Sequence, residues 1–214
     1  MSGSGREKMM SLTRLTIWDP RTRATIQEMT SRSMAQGAAA LTTLVGQPVE
    51  VRDIKVSGFQ LSELAEILPD PEVEAVGVFI ATEGDLQGRF LLLLSHAEAL
   101  ALASLMVGFA PSAAPDLDRL ARSALGEVGN QLSALFVNSV SAATRRPCKL
   151  SPPAVLEDMA GALVDLWLTA GGRLEDYLLI IEATFLRAGK EACLHFLFIP
   201  EYTTLRTIAR NEIF

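Results

Sequence analysis

The chain repeats one pattern of elements twice, and this constrains its fold more than any other feature of its 214 residues. Two helical stretches, IQEMTSRSMAQGAAALTTLVGQPVEV and LGEVGNQLSALFVNSVSAATRRPCKLS, fall into register when Glu28 is set against Glu127. Literal identity between them is low, so what repeats is the order of elements. In the first half, Ile26, Met29, Met34, Ala38, Leu41 and Leu44 have helical spacing, and Gly46 closes the run. VEVRDIKV (49–56) alternates like a strand, and LSELAEIL (61–68) reads as a short helix. EAVGVFIAT and QGRFLLLLS flank the turn EGDL as a hairpin, and Ser95 then caps a helix that stops at Gly108.

The second half runs the same way. A long helix is expected from Leu117 to Ala143, ended by TRRP, and the extended piece PCKLSP follows. AVLEDMAGALVDLW reads as the shorter helix, and YLLIIEATFLR with EACLHFLFIP as the hairpin. The expectation is an α+β fold: one pseudo-two-fold domain whose hairpins pool into an antiparallel sheet of about six strands, with long helices packed on it. Residues 1–19 read as a tail outside the fold, 20–200 as the domain and 201–214 as a tail or last helix. The halves span 20–110 and 116–200, joined by the loop APSAAPD. MSGSG at the start is either a cloning remnant or a loose native tail.

Hydrophobic residues make up 49% of the chain and charged ones 21%, enough for a real core. A net charge of −6 argues against nucleic acid as a partner. Cys148 and Cys193 sit apart in apolar surroundings and read as reduced, buried thiols. With only His96 and His195 beside them, no Cys/His set is at hand for a metal. His195, in CLHFLFI, reads as a packed sheet histidine, and Trp18 and Trp167 read as packing residues. Arg145 and Arg146 are placed to meet the last carbonyls of the long helix. No signal peptide and no continuous apolar span is apparent, so the expectation is a soluble, cytoplasmic protein, either monomer or homodimer. P-loop, GxGxxG, GxSxG and HExxH patterns are all lacking, which leaves small-molecule chemistry without support.

The second long helix carries the candidate site. At 100° per residue, Ala121, Leu125, Val128, Leu132 and Leu135 fall within roughly 80° of arc. Ser123, Glu127 and Asn130 lie within roughly 60°, almost opposite, as an outward ridge at i, i+4, i+7. An asparagine inside a helix costs propensity, because its side chain competes for backbone hydrogen bonds. Gly126 and Gly129 flank the ridge, each weakening the helix by about 0.8–1 kcal/mol relative to Ala. They read as clearance for an approaching partner. Taken alone, the residues say only that an exposed polar ridge is available for docking, and such ridges also occur with no function.

Ser123, Glu127, Asn130 and Pro152, at the spacing x3, x2 and x21, resemble the signature of the CheC/CheX/FliY phosphatases of chemotaxis. SHAEALALASLMVG is also similar to CheC sequences, and the likeness runs from about residue 20 to 200. The resemblance implies a CheC-like fold and hydrolysis of the aspartyl phosphate on a CheY-like response regulator. It gives Asn130 the role of positioning the attacking water and Glu127 that of pairing with a lysine on the regulator. Ser123 and Pro152 support the motif. It implies no cofactor on this chain, Mg²⁺ in the regulator, and a CheD-type deamidase as a further partner. Family members often carry two such ridges. Here the first is degenerate: Glu28 is kept, but Ser31 stands for Asn, Ala24 for Asp/Ser and Asp53 for Pro. That site is expected to be inactive. The alternative is a non-catalytic adaptor of the same fold that binds a response regulator, a CheD-type deamidase or a flagellar switch protein.

Overall fold

The two long helices have the same length. In a computed structural model describing residues 20–60, 70–108, 117–170, 177–187 and 192–210, α1 spans Pro20–Val45 and α3 spans Arg119–Thr144, 26 residues each. Between and after them come β1 (Val49–Gln60), β2 (Glu74–Gly84), β3 (Gly88–Ser95), α2 (His96–Val107), β4 (Cys148–Leu150) and β5 (Ala154–Met159). Then follow α4 (Ala160–Thr169), β6 (Tyr177–Arg187), β7 (Ala192–Pro200) and α5 (Tyr202–Arg210). The Glu28–Glu127 offset carries α1 onto α3 end to end, and β1 onto β4 and β5 together. The repeat read from the sequence is therefore structural.

Local chemistry sets the boundaries. The Asp118 carboxylate accepts from the Ala121 N–H at 2.8 Å and opens α3; Arg145, in a left-handed conformation, closes it. Ser95 accepts from the Glu98 N–H and opens α2, which ends at Gly108 as expected. Arg146 reaches Asp85 at 3.5 Å, so it ties the end of α3 to the β2–β3 turn.

All strands pair antiparallel in one seven-stranded sheet of order β1-β6-β7-β3-β2-β4, with β5 also on β2. Each half lends its first strand to the other half's hairpin. β1 lies along β6, Val49 opposite Arg187, while β4 and β5 lie along β2. β3 and β7 meet at the centre, and the pseudo-two-fold axis passes between them. Neither half can complete its sheet alone, so the fold is a single domain.

One expectation is corrected here. AVLEDM does not begin a helix; it is strand β5, and the helix starts only at Ala160. Ala, Leu, Glu and Met favour helix locally, but pairing from Glu74↔Met159 to Phe79↔Ala154 gives this backbone ladder partners. Tertiary pairing overrides propensity, and the sheet gains a seventh strand. The expected helix at 61–68, the loop at 110–116 and Trp18 lie outside the described residues.

Each face of the sheet is covered. On one face α1, α2, α3 and α5 bury Ile26, Met34, Leu102, Leu125, Leu132 and Ile208 against Val78, Phe90, Phe185 and Phe196. Phe90 stacks on Phe198 at 4.2 Å and meets Phe136 edge-on at 5.8 Å. On the other face α4 buries Leu163, Val164 and Trp167 against Leu91, Leu93 and Leu197. The Trp167 indole donates to the Arg89 carbonyl, which fits its reading as a packing residue. Cys148 is half-buried and its pKa is pushed up by burial. His195 lies opposite Thr184 in the sheet; burial first and Lys55 second hold its pKa below the ordinary value, so it stays neutral near pH 7. Among the described residues no helix is long and apolar enough to cross a membrane.

Candidate functional site

Helix α3 turns its buried side to the sheet and leaves Ser123 and Glu127 exposed and Asn130 half-exposed. The ridge expected from periodicity is present. Together with Arg119, Arg122, Gly126, Pro153 and Val155, these three residues line an open depression of about 440 Å³. Glu127 accepts from the Gln131 side chain at 3.3 Å. The Asn130 carboxamide has no hydrogen-bond partner among the described residues. Two donors and an acceptor therefore face the open side unspent.

The glycines do not do what their position suggested. Gly126 and Gly129 are buried, not flanking clearance for a partner. A Cβ on Gly129 would lie 2.7 Å from Cγ1 of Val78 and 3.3 Å from Cδ1 of Ile80. One on Gly126 would lie 3.2 Å from Cγ of Pro153. Small residues let α3 settle close on β2 and on the segment before β5. The apolar arc, drawn from one set of residues, missed that these glycines belong to the packed side.

Pro152 is exposed in the three-residue break between β4 and β5. Its neighbour Pro153, not Pro152, forms the wall facing the ridge. The break is anchored by Ser151, whose N–H donates to the Ala81 carbonyl at 2.9 Å and whose hydroxyl accepts from the Ala81 N–H at 3.0 Å. An edge strand tolerates consecutive prolines only at such an interruption. The motif proline thus marks the place where the edge strand is broken beside the ridge.

Two arginines at the site escaped the sequence reading. Arg122 donates to the carbonyls of Leu117 at 3.1 Å and Val155 at 3.2 Å, and its remaining nitrogen meets Glu157. The other Glu157 oxygen lies 3.3 Å from Nε2 of His96. Arg122 thereby ties α3 to β5, and Glu157 joins both to α2. Arg119 has no ion pair or side-chain hydrogen bond among the described residues. Arginines four and one positions before Ser123 were visible in the sequence; that one would be tied down and the other free was not.

The first-half counterparts lie apart from this depression, on α1. Glu28 is exposed and paired with Arg32 at 3.2 Å. Ser31 donates its hydroxyl to the Gln27 carbonyl at 2.8 Å, inside its own helix. Asp53 sits at φ 40°, at an irregularity in the β1–β6 pairing between Arg52 and Ile54.

Residues 76–165 match the family profile described as chemotaxis phosphatase CheX. Bacillus subtilis CheY-P phosphatase CheC is 20% identical over 86% of this chain and 90% of its own length. The flagellar motor switch phosphatase FliY of the same organism is 32% identical over 62% of this chain, a match that spans 35% of FliY. The chain is similar to the CheC/CheX/FliY family. Both matched relatives carry phosphatase names. The fold agrees: Thermotoga maritima FliY superposes with a TM-score of 0.67 at 19% identity, covering 88% of this chain and 94% of that one. The same fold is seen in the FliM middle domain of H. pylori (TM-score 0.65, 8% identity, 90% and 99% covered). It is seen again in Borrelia burgdorferi CheX, solved with CheY, beryllofluoride and Mg²⁺ (TM-score 0.55, 14% identity, 79% and 96% covered).

Proposed function

We propose that this protein hydrolyses the aspartyl phosphate of a CheY-like response regulator, with Asn130 orienting the attacking water and Glu127 docking to a lysine of the regulator. The observation that carries the reading is the Asn130 carboxamide, unspent and facing outward beside Glu127. An acyl phosphate is already reactive, so a partner need add little chemistry. The missing part is a water held in line with the P–O bond, which a group able to donate and accept at once can supply. A carboxylate at Asn130 would repel the phosphoryl oxygens. Glu127 suits the docking role, where a charge-assisted bond fixes register.

In this scheme the chain binds no cofactor of its own and the Mg²⁺ is the regulator's; the Borrelia burgdorferi CheX complex with CheY also contains Mg²⁺. Ser123 and Pro152 act in support, the first keeping the ridge small and the second holding the strand break beside it. The test is direct: incubate the protein with a panel of ³²P-labelled response regulators from its own organism. Accelerated loss of label from one of them is the expected result. No acceleration with any regulator that the protein binds would overturn the reading.

The fold shared with FliM favours a second reading, a non-catalytic adaptor bound to a regulator, a CheD-type deamidase or a flagellar switch protein. Binding without any loss of label in the same assay would select it.

A further inference from the structure

The ridge does not end at Ser123. At 100° per residue Leu120 falls about 20° from Glu127, and Arg119 about 20° from Asn130. Leu120 is 52% exposed, the highest value among the exposed large hydrophobic residues described. An exposed leucine alone is ordinary. This one continues a line of polar residues toward the N-terminal end of α3, and it adjoins Arg119, which lines the same depression and has no partner among the described residues. Arg122, one turn on, has its donors committed to Leu117, Val155 and Glu157. The two arginines at the site are therefore in opposite states.

We infer that Arg119 and Leu120 form a second anchor for the phosphorylated regulator, taking one acidic and one apolar side chain about 15–17 Å along the helix from the point where Asn130 acts. The inference rests on the phosphatase reading for the identity of the partner. Charge supports it. The chain carries a net charge of −6, and an aspartyl phosphate is itself anionic, so the two surfaces repel at long range. A free arginine beside the ridge offsets that repulsion locally and fixes orientation. Leu120 adds apolar area that is removed from water when a partner covers it. Neither residue approaches the phosphoryl group in this arrangement. The anchor therefore sets how often the complex forms, not how fast it reacts once formed.

The experiment is steady-state dephosphorylation with Leu120→Ala, Arg119→Ala and Arg119→Glu, read as KM and kcat separately. Leu120→Ala and Arg119→Glu are each expected to raise KM about tenfold with kcat unchanged. Arg119→Ala should raise KM most at low salt and least at high salt, where the arginine's local attraction is screened. Both side chains are exposed, so circular dichroism and thermal unfolding should match the parent. Parental KM for both residues' variants, or a fall in kcat with KM unchanged, overturns the anchor. Titration with a beryllofluoride-loaded regulator separates the two readings. A parent that binds it but hydrolyses no phosphate sinks the phosphatase reading alone. In that case weaker binding by Leu120→Ala and Arg119→Glu still supports the anchor, and unchanged binding removes it. A parent that binds no loaded regulator overturns both.

Discussion

Helices α1 and α3 differ less in backbone than in what fills the angle between each helix and the irregular strand beneath it. Under α3 that angle is open. Gly126 lets Pro153 come close, and the depression forms beside Ser123, Glu127 and Asn130. Under α1 the residue in register with Gly126 is Gln27, and its amide reaches across to the Ile54 carbonyl at 2.9 Å. Ile54 is itself in register with Pro153. Thr30, in register with Gly129, is buried and bonded to the Ile26 carbonyl. The strand irregularity persists in both halves, at Asp53 and at Ser151–Pro153, and the register places Gly58 where the second half has Glu157. Duplication preserved the lengths and the pairing, and a handful of side chains decide which copy keeps a recess.

The largest effect expected from this difference is at Asn130. Asn130→Ala should lower the dephosphorylation rate by about 10²-fold or more while leaving regulator binding near the parental value, since it removes water positioning and little contact area. Single-turnover decay of labelled regulator measures it. Equal decay with mutant and parent would place the chemistry elsewhere. Glu127→Lys comes next: replacing a docking carboxylate by a like charge should weaken association about tenfold or more, and a reciprocal Lys→Glu change on the regulator should restore part of it. Unchanged affinity would mean that Glu127 merely faces water beside Gln131.

A smaller effect tests why glycine is present in α3 at all. Gly129→Ala improves helix propensity by about 1 kcal/mol. Its new methyl would lie 2.7 Å from Val78, and overpacking of this kind costs about 1–3 kcal/mol. The net expectation is a lowered urea midpoint, with α3 pushed off β2. If the mutant is instead more stable and binds the regulator less well, the glycines serve the partner and not the sheet.

Much of the fold was legible because it is written locally and twice. Ser95 and Gly108 bracket α2, and Glu28 against Glu127 aligns both long helices. What stayed hidden depends on partners distant in the chain. AVLEDM carries helix formers, and only its pairing with β2, some eighty residues earlier, makes it a strand. The strand exchange between halves has no local signature either. At the site, helical period exposed Ser123, Glu127 and Asn130 correctly. The burial of Gly126 and the commitment of Arg122 depend on where Pro153, Val155 and Glu157 arrive, which spacing along one helix does not contain.

The smallest effect is expected at the first ridge, and its smallness is the point. Glu28 is spent on Arg32, and Ser31 on the Gln27 carbonyl within its own turn. A serine hydroxyl sits on one carbon, about one bond short of an asparagine carboxamide, and lacks the paired donor and acceptor. Glu28→Ala together with Ser31→Ala should leave dephosphorylation within about twofold of the parent, as surface changes away from a site do. Ser31→Asn in an Asn130→Ala background supplies the missing group but not the recess, because Gln27 still bridges to Ile54. It should stay silent. Adding Gln27→Gly to that background removes the bridge and opens the angle that Gly126 opens in the other half. Weak activity appearing only in this last combination would show that side-chain filling, not the loss of one asparagine, silenced the first copy. A large loss of activity from the first-ridge double mutant with Asn130 intact would reverse the comparison and move the catalytic surface to α1.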